Sequence, residues 1–151
     1  MMEEHDFKKY PELSNAQMAE FQFSSPHQQI TEDFMATVIK VHDGDTITLT
    51  TAFRDFDFPM RLADIDAPEL NAGGDTARDW LKEKILNADI MVEIDPNNRV
   101  EKWGRLLGRV IHNGMDVGQE ALQLGLVKNF EKRDEGQLPN LIKDLAIKRW
   151  L

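Results

Sequence analysis

The sequence predicts a small α+β domain whose core is five short strands. Three observations point that way. Short apolar or alternating runs recur between turn residues. One stretch with helical period separates the third run from the fourth. Two more helical stretches follow the fifth. Five short strands fit a closed barrel, which removes exposed sheet edges.

The regular pattern starts at Asp33. Residues 34–41 (FMATVIKV) read as the first strand. Asp43-Gly44-Asp45 is a turn signal, and residues 46–51 (TITLTT) alternate as the second strand. Residues 56–63 (FDFPMRLA) form the third, with Pro59 predicting an edge position or a bulge. Residues 75–88 are a predicted helix, capped by Asp75, with Ala77, Leu81, Ile85 and Ala88 on its apolar face. Residues 90–95 (IMVEID) and 106–112 (LLGRVIH) are the fourth and fifth strands. A short helix is expected over 117–124, with Gly125 suited to its C-terminus, and a last one over 138–150.

Residues 1–32 lack clear periodicity and are set apart as an N-terminal extension, with residues 33–151 as the main domain. The extension carries Tyr10, Leu13, Met18, Phe21 and Phe23, and residues 14–23 suit one short helix with Ser14 as N-cap. It reads either as a tail that partly packs on the core or as a docking arm for a protein partner.

The 151 residues suit one domain with a real core. There is no cysteine, which excludes disulfides, zinc–thiolate sites and thiol catalysis. No apolar run approaches the roughly 18 residues that span a bilayer, so no membrane partner is expected. The chain does not open on a basic segment followed by an apolar one. A cytoplasmic or assembly-associated location is therefore expected over a secreted one. Net charge is −9. Residues 1–33 hold seven acids and two bases, the remainder 20 acids and 16 bases. Such a balance does not by itself suggest a nucleic-acid enzyme, since phosphate contacts supply much of that binding. A bound divalent cation would make an acidic cleft less negative.

Three segments carry candidate chemistry. His42-Asp43-Gly44-Asp45-Thr46 puts two acids around a glycine after an apolar strand. Taken alone, it also reads as an ordinary hairpin turn. In Arg61-Leu62-Ala63-Asp64-Ile65-Asp66-Ala67-Pro68-Glu69 a strand runs straight into acids, and Pro68 restricts Ala67 to an extended conformation. The third, Glu101-Lys102-Trp103-Gly104-Arg105, places a cation after a glycine at a strand start. The histidines His5, His27, His42 and His112 show no metal-ligand spacing. Trp80 and Trp150 read as packing residues, as do Phe53, Phe56 and Phe58.

Together the three segments resemble the thermonuclease (staphylococcal nuclease-like) family. The matching residues are V-x-D-G-D-T at 41–46, R-L-x-x-I-D-A-P-E at 61–69 and K-W-G-R at 102–105, in the same order and spacing. The resemblance runs from about Ala36 to Leu126 and more loosely to Trp150. It implies a five-stranded OB-type β-barrel with about three packed helices. It also implies a calcium-dependent nuclease cutting DNA or RNA to 5′-hydroxyl and 3′-phosphate ends. By the same resemblance Asp45 and Asp66 bind Ca2+ through carboxylates and Ala67 through its carbonyl, with Asp43 supporting that loop. Arg61 and Arg105 bind the scissile phosphate, and Glu69 sits beside the attacking water. Lys102 and Trp103 contact the terminal phosphate or sugar. Hard oxygens suit calcium, and guanidiniums suit charge building on phosphate oxygens.

The chain also departs from the family. Trp103 stands where tyrosine is common, keeping a stacking face and losing a hydroxyl. Glu131 falls near the position at which the best-known member has a tyrosine over the nucleotide. Gly118 replaces an asparagine that ties a loop to the second helix, which predicts a looser local structure. The alternative reading is a catalytically silent module of the same fold, docking through residues 1–32 into a larger cellular or viral assembly.

Overall fold

The computed structural model describes residues 12–13, 28–101 and 104–130. Strands β1 (Phe34–Val41), β2 (Thr46–Thr51) and β3 (Arg54–Leu62) form an antiparallel meander. A two-residue strand β4 (Ile65–Asp66) and a 3-10 turn (Leu70–Ala72) lead into helix α1 (Gly74–Ile85). Strands β5 (Asp89–Glu93), β6 (Leu106–His112) and β7 (Met115–Asp116) follow, then helix α2 (Val117–Gln123) and strand β8 (Lys128–Asn129).

The sheet runs β3-β2-β1-β5-β6, and β3 then pairs in parallel with β6, closing a five-stranded barrel. The α+β barrel read from the sequence is therefore the observed fold. Two α-helices are present among the described residues. The expected helices over 14–23 and 138–150 lie outside them. Alternation explains the barrel's filling. Val38, Ile47, Leu49, Phe58, Met60, Leu62, Ile90, Val92, Leu106 and Val110 point inward and are fully or almost fully buried. Helix α1 adds Ala77, Leu81 and Ile85 to the same core, one apolar stripe at helical spacing.

Several local expectations need correction. Strand β3 starts two residues earlier than expected. Pro59 pairs opposite Thr48, and the irregularity in that ladder falls between Leu49 and Thr51, not at the proline. Pairing with β6 starts only at Met60, so no second ladder asks Pro59 for the N–H it lacks. Asp75 is not the cap of α1. Gly73, at φ 94°, holds that position, and the Asp75 carboxylate accepts from the N–H of Thr76 instead. The helix ends at Ile85, before Ala88, because Asn87 turns the chain at φ 65° into β5. The cap of α2 went unread in the sequence: Asp116 Oδ1 accepts from the Gln119 N–H at 3.1 Å. Gly118 is buried, and a Cβ there would stand 3.6 Å from Ile65. Of the three phenylalanines, Phe58 is in the core, Phe56 is half-buried against it, and Phe53 is exposed. Trp80 is half-buried on α1, with the Lys84 ammonium 5.9 Å from its ring centroid.

Candidate active site

The β1–β2 hairpin end, the β3–β4 turn and the start of β6 meet at one end of the barrel. Hairpin closure is tight: the His42 N–H donates to the Thr46 carbonyl at 2.9 Å. Asp43 Oδ1 accepts from the Asp45 N–H at 3.0 Å, an aspartate turn that fixes the loop. Gly44 lets this loop lie against α1. A Cβ there would stand 2.7 Å from Ala77 Cβ and 3.0 Å from Ala67 Cβ.

Asp45 is thereby turned inward and is 7% exposed. Its carboxylate accepts from the Ala67 N–H at 2.8 Å and the Thr46 hydroxyl at 2.9 Å. The Asp45 carbonyl accepts from the Leu62 N–H at 2.7 Å, stitching the hairpin to the end of β3. Arg61 lies opposite Thr46 on β3 and is buried. Its Nη2 stands 3.4 Å from Asp45 Oδ2 and 3.3 Å from Asp66 Oδ1. The two carboxylates thus converge on one point, now filled by a guanidinium. Asp66 is on β4, which pairs with β8, and this brings Lys128 Nζ to 3.8 Å from Asp66 Oδ2. The same pairing lays the Phe130 ring over Arg61, 4.6 Å from guanidinium carbon to centroid.

Arg105 reaches the site from the other side. Glu101, itself buried, grips it through two parallel bonds: Nε to Oε1, and Nη2 to Oε2 at 3.1 Å. Its Nη1 donates to Thr46 Oγ1 at 3.3 Å. A guanidinium has five N–H donors, so donors remain for a further ligand. Asp43, Asp45, Arg61, Asp66, Ala67, Glu69 and Arg105 all line one open cleft of about 490 Å³. Glu69 is at its exposed rim, just before the 3-10 turn. Its backbone carbonyl accepts from the N–H of Ala72 and of Gly74, both at 2.9 Å.

The electrostatics follow from this crowding. Burial pushes the Asp45 carboxyl up to about 6, helped by Asp43 beside it and opposed by the Ala67 N–H and Arg61. Burial works to lower Arg105, but its bonds to Glu101 and the charges of Glu101, Asp45 and Asp43 outweigh that and raise it. His42, hydrogen-bonded to Thr48 Oγ1 at 2.7 Å, is held below its usual value by burial, Lys40 and Arg105.

The structure gathers seven of the nine site residues expected from the sequence. The other two, Lys102 and Trp103, lie outside the described residues, as does Glu131. Sequence reading missed Thr46, Glu101, Lys128 and Phe130. Thr46 and Glu101 offered sequence signals, the first as the end of the D-G-D-T motif and the second as an acid four residues before Arg105.

Among the described residues, no three His, Cys, Asp or Glu side chains already converge as a metal cage. The donor chemistry nevertheless fits a hard cation. Asp45 and Asp66 aim at a common point, Ala67 lines the same cleft, and the open cleft leaves room for water.

A family profile described as "Staphylococcal nuclease homologue" matches residues 59–144. The chain belongs to the staphylococcal nuclease family. It is also 33% identical over 97 residues to "Probable endonuclease LCL3" of the fungus Colletotrichum graminicola, an alignment covering 57% of this chain and 34% of that protein. This staphylococcal nuclease homologue therefore spans about a third of the length of that curated relative.

Proposed function

We propose that this chain is a calcium-dependent nuclease that hydrolyses phosphodiester bonds of DNA or RNA to 5′-hydroxyl and 3′-phosphate ends. The observation that carries the reading is the shared cleft. Two converging carboxylates, Asp45 and Asp66, and two guanidiniums, Arg61 and Arg105, line it together with Glu69. Four acids against two arginines leave such a cleft negative and hostile to phosphate. A divalent cation between the acids would cancel that formal excess and relieve Arg61 of its role as their counter-ion.

Asp45, Asp66 and the Ala67 carbonyl would hold Ca2+, and Asp43 would keep the loop in place. When bound, the ion supplies Lewis-acid polarisation of a phosphoryl oxygen. Arg61 and Arg105 then meet the negative charge that builds on the phosphate oxygens. Glu69, at the rim, holds the attacking water or takes its proton. The water oxygen bonds to phosphorus and gives up a proton, the bond from phosphorus to the 5′ oxygen breaks, and that oxygen takes up a proton from solvent and leaves as the 5′-hydroxyl. Lys102 and Trp103 are assigned to the terminal phosphate or sugar by the family pattern alone.

The test is cleavage of single-stranded DNA and RNA by the wild type, Glu69→Ala and Arg105→Ala, with calcium and with chelator. Cleavage should need calcium, and each substitution should lower turnover about a hundredfold or more. Undiminished cleavage in chelator overturns the metal mechanism. No cleavage with any divalent cation favours the silent module.

A further inference from the structure

Residues 12–13 lie far outside the family match, yet both are fully buried. Glu12 is the hub. Its Oε1 stands 2.6 Å from Arg54 Nη2, and its Oε2 stands 3.3 Å from Arg99 Nη1 and accepts from the Ile30 N–H at 2.9 Å. Both arginine side chains are 2% exposed. Arg99 is further held by the N-terminal segment, donating to the carbonyls of Ile30 at 3.1 Å and of Leu13. Leu13 is tied down in turn, its N–H donating to Gln29 Oε1.

Arg99 stands at the root of the loop that carries Arg105. The Arg99 carbonyl accepts from the Leu107 N–H at 2.8 Å, and Val100 bridges Leu106. One residue further in, the Glu101 N–H donates to the Arg105 carbonyl at 2.9 Å, and the buried Glu101 carboxylate grips the Arg105 guanidinium. Glu12 is thus bonded to Arg99, two residues along the backbone from Glu101, and Glu101 is bonded to Arg105. The Glu12–Arg99 contact is a buried, fully desolvated charge pair, the kind of contact that is costly to break on one side only. Misplacing a phosphate-binding group by about 1 Å can cost about a hundredfold in rate.

We propose that Glu12 is a positioning residue for Arg105. By pinning Arg99 it sets the base of the 99–105 loop, and so the aim of the guanidinium in the cleft. Residues 12–13 are then part of the working unit rather than of a separable arm. The catalytic half of this inference rests on the nuclease reading above. The structural half does not.

Arg54 provides the control. It loses the same carboxylate partner when Glu12 changes, but it sits at the start of β3, over the rings of Phe56 and Phe58, and not on the loop. In the full chain, Glu12→Gln, Arg99→Met and Arg54→Met are compared at a temperature where each is folded. Arg99→Lys replaces any loop-side variant that fails to fold, since it keeps the charge facing Glu12. The first readout is NMR of the Arg105 Nε–H, whose solvent exchange reports the grip of Glu101. Glu12→Gln and Arg99→Met should speed exchange about tenfold or more, and Arg54→Met should not. The second is cleavage: kcat should fall at least about tenfold in the loop-side variants and stay within about twofold in Arg54→Met. Unchanged exchange in folded Glu12→Gln, or equal losses in Arg54→Met, overturns the proposal. A wild type without nuclease activity refutes the functional reading, while the NMR comparison still decides whether Glu12 positions Arg105.

Discussion

His42 shows how the site's charges act on a single side chain. It flanks Asp43, donates to or accepts from Thr48, and is depressed by burial first, then by Lys40, then by Arg105. A group made harder to protonate must titrate below its ordinary value of about 6.5. NMR titration of the imidazole should place its midpoint there. Lys40→Ala and Arg105→Ala should each raise it, the first by more, because each removes a positive charge that opposes imidazolium. A midpoint unmoved by Arg105→Ala would mean that this guanidinium does not face the hairpin. The same scale shows what could be read in advance. Asp43, Asp45, Arg61, Asp66 and Glu69 sit in contiguous motifs, so the family resemblance names them together, although each motif alone also reads as a turn. Phe130 and Lys128 reach Arg61 and Asp66 only because β8 pairs with β4, and nothing local in either segment announces that pairing.

At the scale of elements, period and turn residues placed three strands to the residue, while the ends of the first helix were not legible. The strand over residues 106–112 and the stripe Ala77, Leu81, Ile85 were legible because burial repeats at the period of the backbone. The start of α1 was not, since Gly73 caps it by conformation rather than by a side chain. Leu81 is 1% exposed in the core. Leu81→Ala should therefore cost about 2–5 kcal/mol in denaturant unfolding. Gly44→Ala acts differently. The added methyl meets two rigid methyl groups, Ala77 Cβ at 2.7 Å and Ala67 Cβ at 3.0 Å, so the hairpin end must back away from α1. Overpacking of this kind costs about 1–3 kcal/mol. Because Asp43 and Asp45 move with the hairpin, calcium titration should show affinity falling with it. Wild-type affinity in folded Gly44→Ala would show that the loop's seat on α1 does not set the carboxylates.

The whole molecule carries a net charge of −9, and the cleft concentrates part of it where burial makes charge expensive. Without a cation, Asp45 and Asp66 share one guanidinium, and the Asp45 carboxyl is pushed up to about 6 by burial and by Asp43. Such an arrangement holds function at the expense of stability. Asp45→Asn removes the buried charge while leaving an oxygen for the Ala67 N–H. At neutral pH, in chelator, its melting temperature should equal or exceed that of the wild type. Calcium should reverse the order. An ion that binds only the folded chain stabilises it by about 2.7 kcal/mol at a hundred times its dissociation constant. The wild type should therefore melt several degrees higher in saturating calcium, and Asp45→Asn and Asp66→Asn should shift far less. Thermal scans in calcium, magnesium and chelator read this without any nucleic acid. Equal calcium shifts in wild type and both variants would place the ion elsewhere on this acidic surface, and the two aspartates would then be only the counter-ions of Arg61.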